Sequence, residues 1–292
     1  MRIKFVQNII DKAKNKIRKP KIPFLVFWVG TKCTLKCKLC CNLIPYLRQE
    51  SSDSNEFLKD LEFICKNSKI INLQIQGGEP FTHPDIAKII DFLSTLKNVS
   101  NIEIATNGTI KLSNSVIEAL KRNPNVKVRV SNYDCTEKLR EQFIDNLEKN
   151  DVKSYVYEFL YGNNTWFSTG GINEMKQTED EKVQETYDKC NEKGCVTYFD
   201  GKIYACGKIP AIQFYYNTSA KNSYDEINVR LLRNKKENRQ LQKQIKDFYK
   251  NYSIFKEECR FCNINDEKFP AAQQLNAEEL ENISKNLISM EK

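Results

Sequence analysis

The sequence contains a short apolar segment that leads directly into a cysteine-rich loop: Phe24-Leu25-Val26-Phe27-Trp28-Val29-Gly30-Thr31-Lys32-Cys33-Thr34-Leu35-Lys36-Cys37-Lys38-Leu39-Cys40. The six consecutive apolar residues at 24–29 predict a buried β-strand. The three cysteines are spaced C-x3-C-x2-C, and three thiolates in one loop can bind three irons of a cubane iron–sulfur cluster. The fourth iron then has no protein ligand, and a substrate or cofactor can bind there.

A structural zinc ion is the alternative for this loop. Such a site requires four ligands. Cys41 is adjacent to Cys40 and is poorly directed toward the same ion. The loop therefore favours a cluster over zinc.

Cysteine is abundant and histidine nearly absent: the 292 residues include eleven cysteines and one histidine. The start of the chain has scattered lysine and arginine and lacks the apolar segment of a secretory signal, so we expect a cytoplasmic protein with reduced thiols. Thiols in that setting indicate metal ligands. With one histidine, imidazole-based zinc sites, haem ligation and Ser-His-Asp catalysis are largely excluded.

Length and composition predict one large domain, or a large domain with a small one. The chain is 40% hydrophobic and 11% aromatic, which is enough for a core and excludes wholesale disorder. The longest apolar run, residues 23–29, is far too short to cross a bilayer.

The positive charge is concentrated at the start of the chain. Residues 1–21 hold eight basic residues and one acidic residue, so they account for nearly all of the net charge of +8. Apolar residues recur there at helical spacing: Ile3, Val6, Ile9, Ile10, Ala13 and Ile17. We expect a basic amphipathic helix that caps the main domain. The alternative is that this helix binds a polyanion or a membrane surface, in the second case at the inner face of the membrane. The nearly neutral remainder argues against nucleic-acid binding.

Short apolar segments alternate with helical segments after residue 21, which is the pattern of parallel β/α units. Strands are predicted at residues 24–29, 71–76, 101–106, 126–131 and 154–159, and helices at residues 54–67, 84–97, 113–122 and 136–149. This pattern predicts an α/β fold, a partial (β/α) barrel of about five to six parallel strands.

The pattern changes after the fifth strand. A Gly/Asn-rich loop with Trp166 and Phe167 follows, which we expect to cover the active site. Helices are then predicted near residues 178–190, 232–250 and 277–290, and a β-hairpin at Asp200-Gly201. We therefore divide the chain into an N-terminal helix (1–21), a barrel core (22–165) and a small C-terminal domain with the hairpin (166–292).

Two predicted strands carry polar residues on one face. Gln74 and Gln76 alternate with aliphatic residues, as do Arg129 and Ser131. A fully buried parallel strand would be apolar on both faces. We expect these side chains to line a solvated or ligand-filled interior; the alternative is an ordinary edge strand facing water.

These features together are similar to the radical S-adenosylmethionine (radical SAM) superfamily, whose most specific motif is the C-x3-C-x2-C loop after the first strand. The resemblance continues through four further elements: Gly77-Gly78-Glu79-Pro80 after the second strand, Thr106-Asn107-Gly108 after the third, Ser131-Asn132 at the end of the fourth, and Leu39 before the third cysteine. It covers roughly residues 22–160.

The resemblance implies a site for each part of S-adenosylmethionine. Gly77-Gly78-Glu79-Pro80 would contact the methionine amino group, because adjacent glycines let the backbone approach a ligand and Glu79 can accept a hydrogen bond from an ammonium. Thr106, Asn107, Ser131 and Asn132 match positions that hold the ribose or carboxylate. Leu39 would lie near the adenine.

The resemblance also implies the chemistry. Cys33, Cys37 and Cys40 would hold a [4Fe-4S] cluster that passes one electron to S-adenosylmethionine, and the resulting 5′-deoxyadenosyl radical takes a hydrogen atom from a substrate carbon. A flavodoxin- or ferredoxin-type protein would supply the electron.

A second group of cysteines lies in the last third of the chain: Cys190, Cys195, Cys206, Cys259 and Cys262. Their spacing resembles the auxiliary-cluster domain called SPASM, or its shorter form called twitch, and implies one auxiliary [4Fe-4S] cluster. The motif spacing favours Cys190 as the fourth ligand. A two-residue turn at Asp200-Gly201 would instead put Cys195 opposite Cys206, at about 5 Å between Cβ atoms. Zinc held by four cysteines is the alternative for this group.

Three cysteines and the histidine remain. Cys65 is expected in a helix as a core thiol, Cys41 is spare, and His83 is expected to be structural in the helix-start sequence Thr82-His83-Pro84. Cys135 comes shortly after the fourth strand, where a thiol can return a hydrogen atom to a substrate radical. A small residue buried in the strand-to-helix turn is the alternative.

These sequence features bear on three possible functions. The first is a radical SAM enzyme that dehydrogenates or epimerises a small polar substrate, including anionic ones, such as a sugar, aminocyclitol or nucleotide sugar. The second is modification of a ribosomally made peptide by thioether formation, epimerisation or crosslinking. The third, a non-catalytic metal-stabilised binding protein, is disfavoured by the intact first motif.

Overall fold

The computed structural model describes residues 19–158, 165–168, 170–172, 176–264 and 267–290. Most of the predicted basic helix at residues 1–21 lies outside the described residues. None of the described helices is both long enough and apolar enough to cross a lipid bilayer.

Five parallel strands with four intervening helices form the first part of the fold. The strands are β1 (Lys21–Trp28), β2 (Lys69–Gln76), β3 (Val99–Thr106), β4 (Val126–Ser131) and β5 (Ser154–Tyr157). The helices are α1 (Ser54–Asn67), α2 (Ile86–Ser94), α3 (Asn114–Arg122) and α4 (Glu137–Lys149). Each predicted strand and helix of this part is present, with ends that differ by a few residues.

The second part of the chain adds shorter elements. The strands are β6 (Thr165–Phe167), β7 (Thr197–Phe199), β8 (Lys202–Tyr204), β9 (Glu226–Asn228) and β10 (Lys268–Pro270). The helices are α5 (Asp180–Asp188), α6 (Ile209–Tyr216), α7 (Val229–Asn234), α8 (Asn238–Lys250) and α9 (Ala277–Met290).

One sheet of eight strands joins the two parts, in the order β5-β4-β3-β2-β1-β7-β8-β9. Strand β7 pairs in parallel with β1, so six adjacent strands are parallel; β8 is antiparallel to β7, and β9 is antiparallel to β8. The α/β fold with about six parallel strands is confirmed. The hairpin predicted at Asp200-Gly201 is also present, with φ of 40° and 83° at these residues, as a two-residue turn of the primed type requires.

The hairpin extends the sheet because its aromatic side chains pack on β1. The rings of Tyr198 and Phe27 are stacked with centroids 4.1 Å apart, and both side chains are fully buried. The aliphatic faces of β1–β4 bury against α1–α4, with Leu25, Leu73, Ile104 and Val128 inaccessible to solvent. The opposite, more polar face of the strands is left to form the interior.

In the second part of the chain, one helix prediction was wrong in detail and one helix was not predicted. The helix predicted at residues 232–250 is two helices, α7 and α8, because Lys236 adopts a left-handed backbone conformation with φ of 58°. Helix α6 was not predicted. Its sequence Ile209-Pro210-Ala211-Ile212-Gln213-Phe214-Tyr215-Tyr216 is apolar almost throughout and lacks the polar face of an amphipathic helix.

Candidate functional site

A cavity of about 560 Å³ lies inside the curve of the sheet. Many of the predicted site residues line it: Cys33, Cys37, Leu39, Cys40, Gly77, Gly78, Thr106, Asn107 and Ser131. They come from loops after β1, β2, β3 and β4, because the carboxyl ends of parallel strands meet at one edge of a sheet. Trp166 and Phe167, expected to cover the active site, line the same cavity.

The cysteine loop is held against the turn after β2 by backbone hydrogen bonds. The N–H of Gly78 donates to the carbonyl of Gly30 at 3.0 Å, and the N–H of Glu79 donates to Lys32 at 2.8 Å. A Cβ atom on Gly77 would lie 2.1 Å from the Gly30 carbonyl oxygen, and one on Gly78 would lie 2.2 Å from that of Lys32. The glycine pair therefore lets two loops pack together, whereas we had expected the pair to admit a ligand.

The loop thiols need a nearby cation to ionise. Burial raises the pKa of Cys33 to about 12 and also raises the pKa of Cys37 and Cys40. Charge on any of these sulfurs would raise the pKa of its neighbours, since the negative charge of Cys40 acts on both Cys33 and Cys37. Three soft donors that face one cavity fit an iron–sulfur cluster, whose irons stabilise the thiolate forms.

Asn107 joins the turn after β3 to the same loop. Its side-chain amide donates to Thr34 Oγ1 at 2.9 Å and lies 3.9 Å from Cys33 Sγ. Asn107 was predicted to hold the cofactor's ribose or carboxylate. It lines the cavity, but its side chain is already engaged in fixing the cysteine loop.

Glu79 lies beneath the cavity and does not line it. Its side chain is 2% exposed, and its carboxylate accepts hydrogen bonds from Thr106 Oγ1 at 2.8 Å, the Asn107 N–H at 2.8 Å and the Phe81 N–H at 3.2 Å. Burial raises its pKa to about 7, although the three donors oppose that shift. Glu79 as the acceptor for the cofactor's ammonium stays a prediction; in the structure, three internal donors bind its carboxylate.

Two more predicted cofactor residues are absent from the cavity lining. Pro80 is buried and begins the short 3₁₀ helix Pro80–Thr82. The side-chain amide of Asn132 lies 3.2 and 3.3 Å from the two carboxylate oxygens of Glu158. Pro80 thus has a role in starting the 3₁₀ helix, and the Asn132 side chain is bound to Glu158.

Four thiols of the second group line another, smaller cavity: Cys190, Cys206, Cys259 and Cys262. Cys190 follows α5, Cys206 follows β8, and the last pair comes from the 3₁₀ turn Glu257–Phe261 and the residue after it. Burial raises the pKa of Cys206 well above its usual range, and charge on Cys259, Cys262 or Cys190 would raise it further. The four thiols thus act on one another electrostatically across one cavity.

Cys195 lines the large cavity instead of the small one. The hairpin has the predicted turn, but its ladder begins at Thr197, which pairs with Tyr204, and Cys195 lies before it. The N–H of Cys195 closes a turn on the carbonyl of Glu192 at 3.0 Å, so the chain leaves the strand direction there. The arrangement favours Cys190 as the fourth member of the set.

The wall between the two cavities is thin. Glu192 and Ile264 line both of them. The two cavities therefore share part of their lining.

Among the residues that the structure describes, no three His, Cys, Asp or Glu side chains lie close enough together to hold one metal ion.

The remaining thiols and the histidine differ from what we expected in two cases. Cys135 is exposed, does not line the cavity and donates to the Ala272 carbonyl at 3.6 Å, so the geometry gives the predicted hydrogen-donor role no support. Cys41, predicted to be spare, lines the large cavity. Cys65 is a buried core thiol as predicted. His83 is structural: it accepts from the Asp85 N–H through Nδ1, so its Nε2 donates to the Ser52 carbonyl.

Sequence reasoning missed several residues of the large cavity. Glu103, Tyr133, Tyr155, Tyr157 and Thr197 all line it. A signal existed for two of them, since Tyr155 and Tyr157 alternate on β5 as Gln74 and Gln76 do on β2. Thr197 could not be placed, because its strand joins β1 only in the folded chain.

A family model supports the iron–sulfur assignment. Residues 23–135 match the 4Fe-4S single cluster domain family. The matched residues include Cys33, Cys37 and Cys40, in agreement with the prediction of an iron–sulfur cofactor at this loop.

The solved structures that match this chain share little sequence with it. SuiB from Streptococcus suis is 16% identical over 68% of this chain, with a TM-score of 0.40. The anSMEcpe structure with bound AdoMet is 14% identical over 93% of this chain and 96% of its own, with a TM-score of 0.49. BtrN in complex with AdoMet and 2-DOIA is 12% identical over 87% of this chain and 97% of its own, with a TM-score of 0.44. The match spans 44% of the length of SuiB. No curated protein sequence matches the chain.

Proposed function

We propose that this protein is a radical SAM enzyme that cleaves S-adenosylmethionine reductively and uses the 5′-deoxyadenosyl radical to take a hydrogen atom from a small polar substrate. The product is a dehydrogenated or epimerised substrate. The observation that carries the proposal is that Cys33, Cys37 and Cys40 line one cavity with a set of polar strand residues.

The chain has enough thiols near the two cavities to serve as ligands of two clusters. Cys33, Cys37 and Cys40 would hold the first [4Fe-4S] cluster, and Cys190, Cys206, Cys259 and Cys262 the auxiliary one. Glu192 and Ile264 line both cavities, and this adjacency supports electron exchange between the auxiliary cluster and a substrate in the large cavity.

The cavity suits a small molecule with many polar groups. A volume of about 560 Å³ lies within the range of small-ligand pockets, about 300–1,000 Å³. Gln74, Glu103, Arg129 and Thr197 offer hydrogen-bond donors and acceptors at its floor, and Trp166 offers a flat apolar face. Polar groups at the floor and an aromatic face are suited to a sugar-like ring.

Two components of this proposal lie outside the cavity. A flavodoxin- or ferredoxin-type protein supplies the electron. The basic segment at residues 1–21 contacts the inner face of a membrane, which we propose from its sequence.

Anaerobic reconstitution tests the proposal. We expect about eight irons per chain and release of 5′-deoxyadenosine when the reduced protein is mixed with S-adenosylmethionine. Cys37→Ala should abolish that release, whereas Cys65→Ala, which removes a buried thiol that lines neither cavity, should retain it. Four irons with one zinc would contradict the auxiliary cluster, and a modified peptide as the product would replace the small substrate with the alternative one.

A further inference from the structure

Arg129 is held in a fixed orientation inside the large cavity. Its guanidinium carbon lies 3.8 Å from the centroid of the Tyr157 ring, so the two planar groups are in contact. Its Nη1 donates to Gln74 Oε1 at 3.3 Å. A stacked ring and an amide oxygen together fix the guanidinium on the cavity wall.

The guanidinium has no carboxylate partner in the described part of the chain. Its polar and ring contacts among the described residues are with Gln74 and Tyr157. Glu103 lies on the neighbouring strand, but its carboxylate accepts the hydroxyl of Tyr155 at 2.5 Å. A guanidinium has five N–H donors in a planar fork, and most of these remain for a ligand. A half-buried cation of this kind is stabilised by an anion.

Arg129 lies deeper in the large cavity than the strand edge that faces the cysteine loop. It comes two residues before Ser131, where β4 ends, so it lies about 7 Å below the strand edge that faces the cysteine loop. A group bound there would anchor one end of a substrate and leave the other end at the strand edge.

We propose that Arg129 binds an anionic group of the substrate, a carboxylate or a phosphate, with Gln74 and Tyr157 orienting the guanidinium. This deepens the proposed function and rests on it for the identity of the ligand as substrate. The paired N–H groups of arginine match the oxygens of either anion.

Binding of three probes tests the site: glucuronate, glucose 6-phosphate and neutral glucose, measured by ligand-observed NMR on the reconstituted protein. We expect the wild type to bind at least one anionic probe about tenfold more tightly than glucose, and Arg129→Gln to lose that preference. Arg129→Lys should keep part of it. Equal binding of charged and neutral probes, or no effect of Arg129→Gln, would overturn the proposal.

A parallel measurement separates the two sources of a carboxylate. If Arg129→Gln weakens S-adenosylmethionine binding as much as it weakens glucuronate binding, the arginine holds the cofactor, and the proposal is wrong. If the wild type binds the anionic probes but releases no 5′-deoxyadenosine, the anion site stands and the proposed function fails.

A different observation concerns the segment after β10, which crosses the cysteine loop. Gln274 forms an antiparallel bridge with Cys37. On either side, the Lys38 N–H donates to the Gln273 carbonyl at 2.7 Å, and the Leu275 N–H donates to the Lys36 carbonyl at 2.8 Å. This segment is thus paired with the loop like an added strand.

The side chain of Gln274 is oriented by both of its ends. Its Oε1 accepts the Lys36 N–H at 2.7 Å, which fixes the amide nitrogen on the other side. That Nε2 donates to the Ala272 carbonyl at 2.5 Å and to Cys37 Sγ at 3.5 Å. A donor is therefore held on one of the three loop sulfurs.

We infer that Gln274 is a positioning residue that raises the reduction potential of the first cluster. Hydrogen bonds to cluster sulfurs are among the factors that set this potential. An N–H dipole stabilises negative charge on the Cys37 sulfur, and this stabilisation is larger when the cluster has gained an electron.

An EPR-monitored redox titration tests this inference. We expect Gln274→Leu and the unbranched Gln274→Met to reconstitute the first cluster with a midpoint potential more negative than that of the wild type. Gln273→Leu, whose backbone alone bonds the loop, is the matched control and should leave the potential unchanged. An unchanged potential in both Gln274 variants would overturn the inference, and a wild type without the first cluster would instead refute the proposed function.

Discussion

The carboxylate of Glu79 accepts the backbone N–H of Asn107 at 2.8 Å, and this bond ties the turn after β2 to the turn after β3 directly beneath the large cavity. Because Asn107 in turn donates to Thr34 in the cysteine loop, the loops after β1, β2 and β3 form one connected unit. The buried acid therefore supports the geometry of the cluster loop from below.

Glu79 should make stability depend on pH. Its pKa is about 7 in the folded protein, against 4.5 for an unperturbed glutamate. Between these values the folded state binds more protons than the unfolded state, so the free energy of unfolding should fall as pH rises from about 4.5 to 7. Urea unfolding of the apoprotein at several pH values measures this slope.

Glu79→Gln should remove that component of the slope. It should also lower the free energy of unfolding by about 1–3 kcal/mol, because the Asn107 N–H loses its acceptor. Glu118→Gln, on the exposed face of α3, is the control and should leave both quantities unchanged. A wild-type slope retained by Glu79→Gln would show that another group is responsible.

Gly78→Ala should separate the cysteine loop from the turn after β2. The added Cβ would lie 2.2 Å from the Lys32 carbonyl oxygen, which is backbone and can move only if the loop moves. We expect a loss of about 1–3 kcal/mol in the free energy of unfolding and reduced iron at the first cluster. Gly171→Ala, where nothing lies within 4 Å of the added atom, is the matched control. Equal iron content in the two variants would contradict the steric argument.

The choice between Cys190 and Cys195 can be decided by iron content. Cys190 lines the small cavity with the other three thiols, and Cys195 lines the large one. Cys190→Ser should therefore lower the iron content of the reconstituted protein from about eight toward about four, whereas Cys195→Ser should retain about eight. The reverse result would make Cys195 the fourth ligand.

Asp60 should be a stability determinant of the joined sheet. It is inaccessible to solvent, accepts the Tyr198 hydroxyl at 2.6 Å, and forms ion pairs with Arg230 and Arg233 at 3.2 Å. Asp60→Ala removes the acceptor of the buried Tyr198 hydroxyl, whereas Arg230 keeps Asp200 and Arg233 keeps Glu56 as partners. It should lower the free energy of unfolding by about 1–3 kcal/mol. Asp247→Ala, from an exposed pair with Lys243, should change it by less than about 1 kcal/mol. Similar effects in thermal or urea unfolding would refute the role of Asp60.

The parallel core was predictable because its signals are local. Residues 24–29 are continuously apolar, and Gln74 and Arg129 alternate with aliphatic residues at the period of a strand. The Asp200-Gly201 turn was predictable for the same reason, because an Asp-Gly pair favours a two-residue hairpin turn. Both residues adopt the positive φ angles that this turn needs. What these signals could not give was the partner of the hairpin: β7 pairs with β1, and the paired residues are 171 positions apart in the chain.

The sequence by itself determined the chemistry of this protein: three thiols at fixed spacing in one loop, a second set near the C-terminus and a strand pattern that leaves a polar interior. Only the tertiary structure decided which thiols share a cavity. It placed Cys41 and Cys195 in the large cavity, left Cys135 exposed and brought Gln274 onto Cys37. The physical reason is that spacing along a chain constrains neighbours within a loop, whereas contacts between distant segments depend on how the sheet and its connections pack.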